Sequence, residues 1–226
     1  MQGKIILIEG VDCSGKQTQS ELLVKHLNKR GIKAVRLSFP MYDTPTGRII
    51  AGPYLGKPDY GEGVFKEGAS NVEPKVASLY YCADRMYNIE KINTKLQEGY
   101  IVVLDRYVES NMAHQSAKFK TIEKQQEMIN WIEKLEYEFL NFPKPNKVIF
   151  LHLPTNFIQK LKQSRDEKAD QHEQDEEYLK NVEQTYLYLA KKYNFNVIEC
   201  LKKDKIRDIE DIGNEILLNI EAMLKE

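Results

Sequence analysis

The chain has 226 residues, 33 basic against 34 acidic, a formal net charge of −1 and 42% hydrophobic content. These values suit one α/β domain over residues 1–226 and exclude a protein that binds nucleic acid through bulk charge. No apolar run reaches the about 18 residues of a membrane span, the start MQGKIILIEG is not laid out as a signal peptide, and Cys13, Cys82 and Cys200 are too few and too scattered for a disulfide framework or a zinc site. The expectation is a cytoplasmic protein with no membrane and no nucleic-acid partner.

The first predicted strand is Lys4–Glu9 (KIILIE), and it runs into GVDCSGK, a G-x-x-x-x-G-K loop from Gly10 to Lys16. A helix follows and stops at Lys29, Arg30 and Gly31, basic residues and then a glycine. Strand, glycine loop, lysine and helix in that order form a phosphate-binding loop. Gly10 and Gly15 permit the sharp backbone, Ser14 and its neighbours offer N–H groups, and Lys16 reaches the β- and γ-phosphates of ATP. The motif normally continues with Ser or Thr, whose hydroxyl binds Mg²⁺. Here Gln17 takes that place and the hydroxyl arrives one residue late, at Thr18. Either the Gln17 carbonyl ligates the metal or Mg²⁺ keeps an extra water.

Residues 33–38 (KAVRLS) form the second predicted strand, followed by SFPMYDTPTG at 38–47. Residues 51–71, rich in glycine and charge, fit neither helix nor strand and suit a binding loop. A helix is expected over residues 74–96, with Val76, Leu79, Tyr80, Ala83 and Tyr87 toward the core. Tyr81 and Arg85, four apart, share a face of it; a ring beside a guanidinium suits a planar base, and a surface pair is the alternative. The third strand, residues 100–105 (YIVVLD), ends in Asp105. An acid after an apolar strand suits a water-mediated Mg²⁺ contact; a helix cap or a pair with Arg106 is the other reading. Next comes DRYVESNMAHQ at 105–115, which places Arg106 near the phosphates. Ser110, Asn111 and His114 lie on a helix beside it, where the polar pair Asn111 and His114 suits a base or sugar and a solvated pair is the alternative.

A helix over 121–139, a strand at 147–152 (KVIFLH), a helix carrying Leu179, Val182, Tyr186 and Leu189, a strand at 195–200 (FNVIEC) and an amphipathic helix with Ile209, Ile212, Ile216, Ile220 and Met223 complete the reading. Several strands are continuously apolar rather than alternating, as in parallel sheets buried on both faces. The predicted fold is a three-layer α/β sandwich of P-loop NTPase type, with a five-stranded parallel sheet and helices on both faces. A second irregular stretch, 164–177, holds seven acidic residues and is the expected lid.

Taken together, IEGVDCSGKQTQ, FPMYDTPTG, LYYCADR, VVLDRYVESNMAHQ and PKPNKVIFLHL occur in the order of one family. The chain resembles thymidylate kinases over nearly its whole length. The resemblance implies transfer of the γ-phosphoryl of ATP to dTMP, with Mg²⁺, in a homodimer. It implies that Asp12 orients the acceptor, that Tyr42 and Arg106 contact its phosphate, and that Tyr81 stacks on thymine. Arg85 and Asn111 would bond the base edge, beside Phe39 and Pro40, with Ser110 also contacting the substrate and His114 near the sugar. Cys13 stands where some members carry an arginine, so a lid cation is expected, Arg165 before Lys168. Another nucleoside monophosphate kinase, a deoxynucleoside kinase, and a nucleotide-binding protein without catalysis are the alternatives.

Overall fold

The structure, a computed structural model, describes residues 3–162 and 176–225. Arg165 and Lys168 of the expected lid lie outside the described residues, and 176–177 already belong to the following helix.

Five strands form one parallel sheet in the order β2-β3-β1-β4-β5. They are β1 (Lys4–Glu9), β2 (Ala34–Ser38), β3 (Ile101–Asp105), β4 (Lys147–His152) and β5 (Asn196–Glu199). The runs IILI and IVVL are central and fully buried, because a sheet covered by helices on both faces excludes water from every side chain. The predicted strands and their parallel order stand, with ends displaced by a residue. A small hairpin of β6 (Leu201–Lys202) and β7 (Lys205–Ile206) follows.

Two groups of helices cover the sheet. α1 (Lys16–Lys29) packs with α8 (Ile209–Lys225). The other group holds α3 (Pro74–Gln97), α4 (Val108–Ser116), α5 (Ile122–Glu133) and α7 (Glu176–Lys192). Short helices α2 (Pro45–Ile49) and α6 (Thr155–Lys162) follow β2 and β4. Caps fix several starts: Thr44 and Thr121 accept from Gly47 N and Lys124 N, and Glu73 accepts from Val76 N at 2.8 Å with Pro74 in the first turn. α5 passes directly into a π-helical turn, Lys134–Phe139. Among the described residues no helix is long and apolar enough to cross a membrane.

The face expected to be the core side of α3 is its outer side. Leu79 is 50% and Tyr87 61% exposed, and Val76 and Met86 are exposed as well. Ser78, Cys82, Asp84, Arg85, Asn88 and Ile92 are buried instead. Apolar periodicity misleads here because the inner face of α3 lines a polar cavity, so its polar residues turn inward.

Residues 51–71 are ordered around a small core of their own. A π-helical turn (Ile50–Tyr54) and a 3-10 turn (Ala69–Asn71) bury Ile50, Tyr54, Leu55 and Ala69 against Val72 and Ala77 of the α3 side. Lys118, just past α4, clamps this segment by donating to Ala69 O at 3.1 Å and Val72 O at 3.0 Å.

The register places Ile8 beside Asp105. The loops after β1 and β3 therefore emerge together at the carboxyl ends of the central strands, where the chain path reverses across the sheet. That crevice is where open α/β sheets take their ligands.

Candidate active site

The loop between β1 and α1 has the backbone that its glycines allow. Gly10 has φ 157° and Gly15 φ 91°. A Cβ on Gly10 would lie 2.4 Å from Ser14 Oγ and 2.8 Å from Leu151 O, so no larger residue fits. Cys13 adopts φ 66° without being glycine, which costs about 1 kcal/mol. Lys16 is buried, and its ammonium donates to Val11 O at 2.8 Å. Burial lowers its pKa and the nearby charge of Arg106 adds to that, against the pull of Asp12, Asp105 and Glu9. Gln17 and Thr18 are exposed at the first turn, and Gln17 Nε2 donates to Glu21 Oε1 at 3.0 Å. The cleft over the loop is bounded by Lys16, Gln17, Arg36, Lys91, Asp105 and Arg106, among others.

Two carboxylates of this cleft, Asp105 and Asp12, each hold an arginine, in pairs that spacing did not foretell. Asp105 accepts from Arg36 Nη2 at 2.5 Å, and Arg36 Nε donates to Ser20 Oγ at 2.8 Å. Asp105 therefore pairs with Arg36 and not with its neighbour Arg106. Arg106, at φ 67°, pairs with Asp12. Its Nη1 also reaches Ser110 Oγ at 3.3 Å and His114 Nε2 at 3.4 Å. An arginine only donates, so His114 Nε2 accepts and Nδ1 carries the hydrogen toward Tyr178 OH, 3.0 Å away.

Beneath Arg106 lies Glu9, fully buried. It accepts from Ser110 Oγ at 2.7 Å, Tyr186 OH at 2.8 Å and Tyr107 N at 3.1 Å. Burial raises its pKa, partly offset by the charge of Arg106.

A second cavity adjoins the cleft and shares Asp12, Phe39, Pro40, Tyr42 and Arg106 with it. Tyr81, Arg85, Ser110, Asn111 and His114 line it too. Every residue assigned to the acceptor side from sequence is thus brought to one place, and the surface and solvated alternatives for Arg85, Asn111 and His114 fall, since all three are buried. The Tyr81 ring packs edge-on against Tyr54, 5.7 Å between centroids, and Leu55 and Lys57 of the 51–71 segment close one wall. The Phe39-Pro40 peptide is cis.

Several functional candidates escaped the sequence reading. Glu9 ends an apolar strand just as Asp105 does, and that signal was available. Arg36 was visible as a charge inside KAVRLS. Gln115 lines the acceptor cavity fully buried, with neither amide atom partnered, which marks a group awaiting a ligand or water; it had no signal beyond its place after His114. Glu136, 51 residues from its partner Arg85, had none.

Behind the cavity, Glu109 of α4 is buried. Tyr137 OH donates to its Oε1 at 2.7 Å, and its Oε2 has no partner. Burial pushes its carboxyl up to about 8. A raised carboxyl stabilises the fold fully below the unfolded value near 4.5, and that contribution is lost as pH rises through about 8. We therefore expect wild type to lose stability between pH 5 and 9 relative to Glu109→Gln, by up to roughly 5 kcal/mol at about 1.4 kcal/mol per pH unit. Urea unfolding of both proteins across that range measures it; parallel curves would overturn the assignment.

A family model described as thymidylate kinase matches residues 8–211. A probable thymidylate kinase of Thermococcus kodakarensis is 31% identical over 225 residues, covering 98% of both chains. One of Caldivirga maquilingensis is 30% identical over 219 residues, 96% of this chain and 93% of its own. Among solved structures, the thymidylate kinase of Candida albicans superposes with a TM-score of 0.74 at 26% identity, covering 98% of this chain and 92% of that one.

Proposed function

The chain belongs to the thymidylate kinase family, and from that premise we propose how its site works as it transfers the γ-phosphoryl group of ATP to dTMP, giving ADP and dTDP toward dTTP. One observation carries the proposal: the phosphate-loop cleft and the acceptor cavity share Asp12 and Arg106. A triphosphate on Gly10, Ser14, Gly15, Lys16 and Thr18 and a monophosphate reaching out of the cavity would meet at the Arg106 guanidinium.

The chemistry asks for positioning and charge neutralisation. An oxygen of the dTMP phosphate forms the new bond to the γ-phosphorus, and the bond from that phosphorus to the β–γ bridging oxygen breaks, leaving ADP. The acceptor oxygen is already anionic, so no general base is required. Lys16 and Arg106 neutralise the phosphates, and Asp12 holds Arg106 between them. Tyr42 and Ser110 bound the acceptor phosphate, and Phe39, Pro40 and Tyr81 wall the base. Arg165, in the lid, is assigned the additional cation that Cys13 does not supply.

The residues present fit Mg²⁺. Among the described residues no cluster of three or more His, Cys, Asp or Glu could cage a metal. Mg²⁺ prefers one or two carboxylates, several waters and the substrate's own phosphates. Asp105 would hold it, with the Gln17 carbonyl or a water as neighbour, and when bound it would supply further neutralisation of the phosphates. Because Gln17 Nε2 is engaged by Glu21, its carbonyl oxygen stays available.

Wild type is therefore expected to be active, and Gln17→Ser to shift the Mg²⁺ requirement by no more than about tenfold, the size of one lost or gained neutral contact. Activity absent in wild type and restored by Gln17→Ser would refute this. The acceptor is tested by ADP formation with dTMP, dUMP, thymidine, CMP and AMP, where dTMP should lead. Thymidine as the better substrate would instead favour a nucleoside kinase.

Two assignments complete the proposal. The exposed apolar side of α3, with Val76, Leu79, Met86 and Tyr87, supports a homodimer in which this face is covered by its copy. Cys82 and Cys200 are free, buried thiols, a usage that suits the reducing, cytoplasmic setting proposed for this chain.

A further inference from the structure

Resting on the dTMP reading above, we infer that Glu136, which does not line the cavity, decides which kind of base edge the cavity accepts. Glu136 sits on the π-helical turn after α5 and is fully buried. Its two carboxylate oxygens take a fork from Arg85: Nε to Oε2 at 2.5 Å and Nη2 to Oε1 at 2.6 Å. Oε1 also accepts from Asn111 Nδ2 at 2.9 Å. One carboxylate thus anchors two cavity residues that come from different helices.

The consequence lies in what those residues have left. Arg85 spends a third N–H on Tyr107 O at 3.3 Å, which leaves one N–H on each terminal nitrogen. Burial opposes the charge of Arg85, but the adjacent Glu136 carboxylate overrides it and raises the pKa, so these groups are permanent donors. Asn111 gives its amide hydrogens to Glu136 and to Ser78 Oγ at 2.7 Å. A carboxylate can only accept from it, so the amide cannot turn over. Its Oδ1 is buried with no partner. The cavity therefore offers donors from Arg85 beside an acceptor from Asn111.

That pair matches a carbonyl next to a ring N–H, the O4 and N3–H of thymine and uracil. Cytosine offers the reverse, an amino group beside a bare ring nitrogen, and would set donor against donor and acceptor against acceptor. Guanine carries the same carbonyl and N–H pair as thymine, so Glu136 selects keto over amino bases and leaves ring size and the 5-methyl group to the walls. Mismatched hydrogen-bonding sites of this kind discriminate by up to about 10⁴-fold, because buried polar groups are left unpaired.

The experiment is kcat/KM for dTMP and dCMP in wild type, Glu136→Gln, Asn111→Ala and the double variant, with KM for ATP as the internal control. Wild type should prefer dTMP by at least about 10³-fold. Glu136→Gln, which has a hydrogen to give Asn111 and lets its amide turn, should lower that ratio at least about tenfold, mainly through KM for dTMP, with KM for ATP unchanged. In the Asn111→Ala background Glu136→Gln should lower the ratio by less than it does in wild type, the non-additivity of a shared interaction, with what remains passing through Arg85. If Glu136→Gln does not fold, Glu136→Asp keeps the charge but is too short to reach both partners, and its ratio should still fall at least threefold. A wild-type ratio retained by the variant that folds, or additive effects in the double variant, would overturn the inference while leaving the kinase reading intact. A wild type inactive on dTMP would instead overturn the kinase reading.

Discussion

Replacing Arg106 by methionine is expected to lower kcat/KM for dTMP by about 10³-fold while KM for ATP changes less than about threefold. The magnitude follows from removing one preorganised cation from a phosphoryl transfer, worth about 10³ to 10⁵ where an arginine serves this purpose. Arg106 is a cation shared by the phosphate cleft and the acceptor cavity. Its pairing with Asp12 and its contacts to Ser110 and His114 hold the guanidinium in place. The loss should therefore fall on kcat at least as heavily as on KM for dTMP. Arg106→Lys should recover little, since an ammonium cannot fork between Asp12 and a phosphate. Steady-state kinetics with both substrates varied, alongside thermal unfolding of each variant, measures the effect. A loss below tenfold in a folded protein would remove Arg106 from the centre of the mechanism.

The second large effect is expected at Lys16, where activity and stability should part. Lys16→Met should reduce kcat by about 10³-fold or more, as expected when a preorganised charge facing the transferred group is lost. Stability should change by no more than about 1 kcal/mol, because burying the ammonium is itself costly. The carboxylates around it keep their own partners: Asp105 has Arg36, Asp12 has Arg106, and Glu9 has Ser110 and Tyr186. The comparison needs only ADP release and a denaturation curve on the same preparation. Unfolding of the variant at ordinary temperature would assign Lys16 a structural rather than a catalytic role.

Much of the site was legible because its parts are local. Gly10, Gly15 and Lys16 announce themselves within seven residues, since a phosphate loop is one turn of backbone whose torsions only certain residues adopt. Tyr81 with Arg85, and Asn111 with His114, stand at helical spacings that place each pair on a common face. The pairings between segments were not legible. Asp105 read as a metal acid, with a cap or a pair with Arg106 as the other reading, and its partner proved to be Arg36, from a strand 69 positions away in sequence. The orientation of α3 was misread for a related reason. Periodicity reports which residues dislike water, and on this helix the face turned inward meets a polar cavity while apolar Leu79 and Tyr87 are left outside.

The sequence by itself determined the fold class, the positions of the five strands along the chain and the identity of the phosphate loop. Those depend on backbone torsions and on apolar runs that any water-soluble chain must bury. Tertiary structure alone decided the direction in which each polar group is used. The Arg85 fork on Glu136, the fixed amide of Asn111 and the arginines paired with Asp12 and Asp105 arise only when distant helices, strands and loops come together. There each buried donor and acceptor needs a partner, and Asn111 Oδ1 and the amide of Gln115, on residues that line the acceptor cavity, have none.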